Sequence, residues 1–495
     1  MIRIKDFSFS YDETSQNDNL KNINLHIKKG ECVLLVGKSG SGKTTLSRVI
    51  NGLIPHFYEG VTAGVVEVNG ISIGNLSMVE LSKKIGSVFQ NPRSQFFNLD
   101  TVTEIAFGLE NHGLEREVLH KRVSDTIKDL GIEHLIGKKI FSLSGGEKQI
   151  IAIASTYALG SEIFVLDEPS ANLDFEAIGH LGRVIKRLKN MGKTVVVSEH
   201  RVYYLKEVFD RCIYVENGRI EHDYSRDDYF SLTTNMLEKL GLRNMSLEQL
   251  ELSNITNNKI PTHTITVENI SAKYKTSNYI LRNVTFDIPS GKATCIIGKN
   301  GAGKSTLANV LCGLMKENNG TIKKSEILKR KDRVGDFYLI MQESSNQLFS
   351  DTVLGELKLS FEDSRFSDKE LIDTLKLFSL EEYVERHPLS LSGGERQRLA
   401  IATAVVADSD VIIFDEPTSG LDYGNMMRVK HIVEKLKALD KHIMIITHDY
   451  EFILQISDNI AILDKGEIVQ SFPLDKENIS QLKKHFISER VEYYE

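Results

Sequence analysis

At 495 residues the chain exceeds what one compact core usually holds, and the usual domain size of roughly 100–200 residues predicts two to four domains. Lys+Arg 61 against Asp+Glu 68 leave a net charge of -7, which speaks against a protein that mainly grips nucleic-acid backbones. With 41% apolar and 26% charged residues, disorder is excluded as the main state. Cys32, Cys212, Cys295 and Cys312 are too scattered for a disulfide framework and form no C-x-x-C pair, so a reducing compartment is expected. No run of about 18 apolar residues offers a membrane-spanning helix.

In chain order, MIRIKDFSFSY alternates like a strand and lacks the apolar core of a signal peptide. Leu20–Ile27 follows, then the apolar strand Cys32–Val36, the loop Gly37-Lys38-Ser39-Gly40-Ser41-Gly42-Lys43-Thr44-Thr45 and a helix-like run, Leu46–Ile50. A glycine-rich loop between strand and helix turns backbone N–H groups inward as an anion nest at a helix N-terminus. Lys43 offers a point charge to β- and γ-phosphates, and Thr44 a hydroxyl for Mg²⁺. Gln90 ends the strand before Asn91-Pro92, where its amide reaches a metal or an attacking water, or is an ordinary turn residue. Leu143-Ser144-Gly145-Gly146-Glu147 precedes the buried strand Ile163–Asp167, whose end carries Asp167 and Glu168. There one acid suits Mg²⁺ and the next suits polarising water. His200 closes the strand Val195–Ser198 and is placed to stabilise a γ-phosphate.

Every one of these landmarks recurs. Gly298-Lys299-Asn300-Gly301-Ala302-Gly303-Lys304-Ser305-Thr306, Gln342, the second LSGGE from Leu391, Asp415-Glu416 and His448 follow in the same order. The spacing from Ser144 to Glu168 is 24 positions and from Glu168 to His200 is 32; Ser392, Glu416 and His448 repeat both numbers. A period near 250 residues is a duplicated domain. The expected boundaries are 1–222 and 263–470, joined by a linker over 223–262 and followed by a tail over 471–495. Tyr229, Leu232, Met236, Leu237 and Leu240 suggest one amphipathic helix in the linker, and Pro261 stops any helix before the second domain.

Together these residues resemble the ATP-binding cassette (ABC) ATPases, over about 430 of the 495 residues. The resemblance implies an α/β fold of two tandem P-loop domains. Each would have a mixed-sheet core and a helical subdomain, and they would be arranged head-to-tail as an intramolecular pair. Two ATP molecules with Mg²⁺ would be bound. Lys43, Thr44, Gln90, Asp167, Glu168 and His200 would work with Ser392 and Gly394; Lys304, Ser305, Gln342, Asp415, Glu416 and His448 would work with Ser144 and Gly146. In that scheme Glu168, Glu416, His200 and His448 are catalytic, while Thr44, Gln90, Asp167, Ser305, Gln342 and Asp415 serve the metal. Tyr11 and Tyr274 match the aromatic that stacks on adenine in relatives, or are core tyrosines. Neither half lacks a catalytic residue, which predicts two hydrolysing sites. Two departures stand out: Glu199-His200-Arg201 replaces the commoner Thr-His-Asp, and Asn172 stands where Gly420 stands in the second half.

Gln90-Asn-Pro-Arg-Ser-Gln95-Phe96-Phe97 with Thr101-Val-Thr-Glu looks like energy-coupling factor (ECF) importer ATPases, echoed by Gln347-Leu348-Phe349. That likeness implies a peripheral protein on the cytoplasmic side of the cell membrane. It would drive import with a transmembrane coupling protein and a substrate-binding subunit, and no nucleic acid. Phe96 and Phe97 would line a groove for a coupling helix, or belong to the core. The alternative is a soluble tandem-cassette ATPase acting on ribosomes.

Overall fold

The computed structural model describes residues 1–11, 19–252, 260–274, 278–342, 344–360 and 366–494. Two compact units divide the chain, the first spanning Met1–Glu248 and the second beginning at Gln249. In the first unit, Cys32–Val36 is five consecutive buried residues because parallel neighbours flank it on both sides. The sheet around it runs, in order, Arg219–Ser225, Arg211–Glu216, Cys32–Val36, Thr194–Ser198, Ile163–Asp167 and Ile85–Val88. Only its first pair is antiparallel, so the sheet is mixed. A second, antiparallel sheet joins Leu20–Ile27, Ile2–Ser10, Val61–Val68 and Ile71–Ser72. Helix Lys43–Ile50 packs Leu46, Val49 and Ile50 into a core built from residues of both sheets. Helices Thr101–Asn111, Arg116–Leu130 and Gly145–Ala158 pack on one another as a helical subdomain.

The second unit repeats this plan. Its mixed sheet runs Phe337–Ile340, Val411–Asp415, His442–Ile446, Ala293–Ile297, Asn459–Asp464 and Glu467–Pro473. A three-stranded sheet joins Leu281–Pro289, Thr264–Ala272 and Asn319–Lys323. Its helical part holds Val353–Lys358, Asp368–Leu377 and Gly393–Val406.

The first unit runs on past residue 222. Strand Arg219–Ser225 is followed by helices Arg226–Phe230 and Thr234–Leu240, which pack on this unit through buried Tyr229 and Leu237. Tyr229 meets Phe209 edge-on at 5.9 Å, and Tyr214 donates its hydroxyl to the Leu240 carbonyl at 3.0 Å. The single amphipathic helix expected here is therefore two. Thr233 restarts the helix by accepting the Met236 N–H, so the continuous spacing fails and Met236 points to solvent. The Asn-rich stretch 253–259 of the expected linker lies outside the described residues. The tail carries helix Ile479–Tyr494.

One Lys–Asp clamp fastens each central strand, half-exposed in the first unit and buried in the second. Asp210 accepts the Cys32 N–H at 2.9 Å and pairs with Lys189 at 2.5 Å; Asp458 accepts the Ala293 N–H at 2.8 Å and pairs with Lys437 at 2.9 Å. Lys437 is fully buried and also donates to the Ile456 carbonyl. Replacing Asp458 by Ala leaves that ammonium short of its main counter-charge, and the variant should lose about 3 kcal/mol in urea unfolding of the second unit.

Candidate functional site

The two glycine-rich loops fold alike. Gly42 and Gly303 initiate their helices with φ 109° and 108°, and Gly37 and Gly298 both sit at φ 152°. A side chain on Gly37 would collide with the Val215 carbonyl, and one on Gly298 with that of Leu463, so the loops lie against the neighbouring strand. Lys43 is buried, and its ammonium donates to the Gly37 and Lys38 carbonyls, both at 2.9 Å. Lys304 does the same with Gly298 and Lys299, at 2.6 and 3.0 Å. Burial pulls the Lys43 ammonium below its ordinary pKa, while the nearby Glu168 and Asp167 oppose that shift. A pocket in front of the first loop is lined by Asn19, Ser39, Lys43, Thr45, Glu168 and Asn217. It is the shape and charge for a phosphate chain.

Beside each loop stand the two acids. The Thr44 hydroxyl lies 3.4 Å from Asp167, and Ser305 donates to Asp415 at 3.0 Å. Hydroxyl and carboxylate together form the hard-oxygen set that suits a Mg²⁺ ion shared with phosphates. Burial, with the neighbouring Glu168 charge, pushes Asp167 up from its ordinary 3.8 to about 6. Burial also raises Asp415. Glu168 behaves oppositely: burial pushes it up, but the hydrogen bond and charge of His200, with Lys43, outweigh this and hold it below its ordinary value. The two acids of the first site are thus tuned apart, the first toward a proton and the second toward its anion. Glu168 and Glu416 adopt left-handed backbone, φ 45° and 51°, which is uncommon for a side chain of this type. In return the Glu168 N–H bonds to Ser198 and the Glu416 N–H to Ile446, aiming both carboxylates out of the sheet end.

Each glutamate meets its histidine. His200 Nε2 lies 3.3 Å from Glu168 Oε1, and His448 Nε2 lies 3.3 Å from Glu416 Oε1. Gln90 donates to Glu168 at 2.7 Å, so the expected glutamine joins the first site; Gln342 ends the matching strand, exposed. Within the first unit the structure thus brings together Lys43, Thr44, Gln90, Asp167, Glu168 and His200.

The ABC transporter family pattern matches residues 20–171 and 281–419, one stretch in each unit. The chain belongs to the ABC transporter family. It is an ATPase of two cassettes. A Treponema denticola protein that carries the name "Putative ABC transporter ATP-binding protein" is 45% identical over 97% of this chain and 98% of its own length. A Saccharolobus solfataricus protein with the same description is 33% identical over 95% of this chain and 93% of its own. The tandem fold is shared with a structure titled "Model of ribosome-bound archaeal Pelota and ABCE1", with TM-score 0.69 and 21% identity over 97% of this chain and 80% of that one.

The LSGGE segments of both cassettes are helix N-termini. Ser144 caps helix Gly145–Ala158 by accepting the Glu147 N–H at 3.2 Å, and Glu147 accepts the Ser144 N–H at 2.8 Å. Ser392 and Glu395 form the same capping box. A side chain on Gly146 would strike Ala177, so the glycine lets the next helix approach. Neither adenine-stacking candidate is a core residue: Tyr11 is 37% and Tyr274 52% exposed. Arg48 donates to the Tyr11 hydroxyl at 2.9 Å and covers the Tyr58 ring.

Supporting contacts surround the motif residues, and among these supports Glu216, Gln149 and Glu356 were not singled out in the sequence. Lys38 pairs with Glu216 at 2.7 Å at the loop's mouth, and Gln149 reaches back to the Gln90 carbonyl at 3.2 Å. Gln95 bridges the Phe89 N–H and the Ser87 carbonyl, both at 2.9 Å, and Gln347 repeats this with Met341 and Leu339. Buried Glu104 and Glu356 accept the N–H groups of Phe97 and Phe349 at 3.1 and 2.8 Å. Their common signal was an equal spacing of nine positions after Gln95 and Gln347.

The tuned Asp167 makes a pH prediction. Its folded value, about 6, lies above the unfolded 3.8, so ionising it costs the fold stability. That cost is absent below pH about 4, grows between there and pH about 6, and is full above. Asp167→Asn should therefore raise the melting temperature of the purified chain at pH 8 but not at pH 4, while turnover with Mg²⁺ falls at pH 8. Melting curves and phosphate release at the two pH values check both parts.

Proposed function

We propose that the chain is the ATP-hydrolysing subunit of a membrane importer of the energy-coupling factor type, with two working sites. In this reading ATP lies along each glycine-rich loop, with Lys43 and Lys304 on the β- and γ-phosphates. Thr44, Gln90 and Asp167, and Ser305, Gln342 and Asp415, hold the Mg²⁺ that neutralises phosphate charge. Glu168 and Glu416 polarise the attacking water, and His200 and His448 hold those glutamates and sense the γ-phosphate. Tyr11 and Tyr274 flank adenine. The N–H groups at Ser144–Gly146 and Ser392–Gly394 are helix N-termini of the kind that bind phosphate.

The observation that carries the transport reading is the pair Phe97 and Phe349. They are 74% and 78% exposed, and each is held outward by the buried glutamate and the bridging glutamine that follow and precede it. Phe97 stacks on Phe107 at 5.0 Å, and the exposed Leu99 and Phe141 belong to two segments joined by the Ile140 N–H bond to the Leu99 carbonyl. An apolar surface built with this much polar support, twice in one chain, suits the apolar face of an amphipathic helix from a partner. No helix among the described residues is long and apolar enough to cross a membrane, so the transmembrane path belongs to separate subunits: a coupling protein and a substrate-binding protein.

The test is affinity purification of the tagged chain from detergent-solubilised native membranes. Small integral membrane proteins should come with it, and Phe97→Asp with Phe349→Asp should lose them while basal ATP turnover stays within about twofold, because neither ring touches the phosphate loops. Ribosomal subunits in place of membrane proteins would overturn the transport reading.

A further inference from the structure

The turn that carries the histidine is built differently in the two cassettes, yet arrives at the same place. In the second cassette Thr447-His448-Asp449 runs into helix Tyr450–Ile456, and Asp449 does two things with its buried carboxylate. It caps that helix by accepting the Phe452 N–H at 3.2 Å, and it accepts the Thr418 hydroxyl at 2.9 Å, tying the turn to the segment just after Asp415-Glu416-Pro417. The Asp449 N–H in turn donates to Thr447 Oγ1 at 3.1 Å. In the first cassette Arg201 stands at that position, and an arginine cannot cap. The chain makes a single 3₁₀ turn, Tyr203–Leu205, in place of the helix.

The missing carboxylate reappears two residues earlier. Glu199, where the second cassette has Thr447, is 3% exposed and accepts four hydrogen bonds. Oε1 takes the N–H groups of His200 at 2.7 Å and Arg201 at 3.2 Å; Oε2 takes the Ser170 N–H at 3.2 Å and the Tyr204 hydroxyl at 2.9 Å. Ser170 follows Asp167-Glu168-Pro169 as Thr418 follows Asp415-Glu416-Pro417. Tyr204 supplies a hydroxyl where the second cassette has Phe452, whose acid needs none from that side. Three coordinated differences, Glu for Thr, Arg for Asp and Tyr for Phe, thus leave one outcome unchanged: the histidine stands 3.3 Å from its glutamate in both cassettes.

We propose that Glu199 is the positioning residue of the first site. It fastens the His200 turn to Ser170 and so fixes His200 against Glu168, doing from the residue before the histidine what Asp449 does from the residue after it. All four partners of Glu199 are donors, so the acid is required as an acceptor and a glutamine is a poor substitute. The inference rests on the reading of His200 and Glu168 given above, and the test separates the two.

The full-length chain is assayed for ATP turnover in an E416Q background, which leaves only the first site working and serves as the wild-type reference, with H200A, E199Q, E199T and the transplant E199T/R201D/Y204F, which writes the second cassette's turn into the first. E199T and E199Q should lower kcat by roughly 10–100-fold, toward the H200A value, with KM for ATP changed by less than about threefold, because binding at Lys43 is untouched and only alignment is lost. The transplant should recover at least about half the wild-type kcat, since it restores an acceptor to the same two segments. Equal losses in E199T and the transplant would overturn the proposal, as would a near-wild-type kcat in E199Q and E199T beside an impaired H200A. A wild-type rate in H200A would overturn the underlying site reading and this inference with it.

Discussion

Half-buried carboxylates at the end of a parallel strand constrain nearly everything around them in each cassette. Asp167–Glu168 and Asp415–Glu416 sit where water is scarce, so their charge has to be met by groups the fold supplies. Lys43 and Lys304 are themselves buried and folded back onto loop carbonyls. The hydroxyls of Thr44 and Ser305 and the imidazoles of His200 and His448 complete the surround. Such a site holds its charges apart and preorganised, which is the condition for receiving a polyanion and a hard cation.

The need to hold the acids explains features that look unrelated. The second acid of each pair, Glu168 and Glu416, is held in left-handed backbone by its N–H bond to the neighbouring strand end. The Lys–Asp clamps at Lys189–Asp210 and Lys437–Asp458 brace the central strand from which each phosphate loop springs. The Glu199 cluster and its Asp449 counterpart show that the requirement is for an acceptor at a place in space, since the residue that meets it has moved along the chain.

Much of this was legible in the sequence because phosphate chemistry demands short, ordered spacings. A glycine-rich loop between strand and helix, two acids ending an apolar run and a histidine after the next strand leave few alternatives once they occur twice. What was hidden depended on side chains meeting across distant segments. Nothing local distinguishes Phe97 as exposed, because an apolar residue before a helix reads the same whether it packs inward or is held out by Glu104. Glu199 registered as a departure from the usual pattern, and its compensation by Tyr204 and Ser170 needed coordinates. The segment after residue 222 read as a linker because its composition is polar, yet Tyr229 and Leu237 are enough to dock it on the first unit. The apolar spacing across Thr233 was read as continuous, although Thr233 caps the second of two helices there.

The central claim is that one chain holds two complete ATP-hydrolysing sites with Glu168 and Glu416 as their water-polarising groups. The most direct test replaces both by glutamine and counts the nucleotide retained after rapid desalting alongside steady-state phosphate release. Two ATP trapped per chain, with turnover reduced by about 100-fold or more, is the predicted result. Unchanged turnover, or a single trapped ATP, would contradict it.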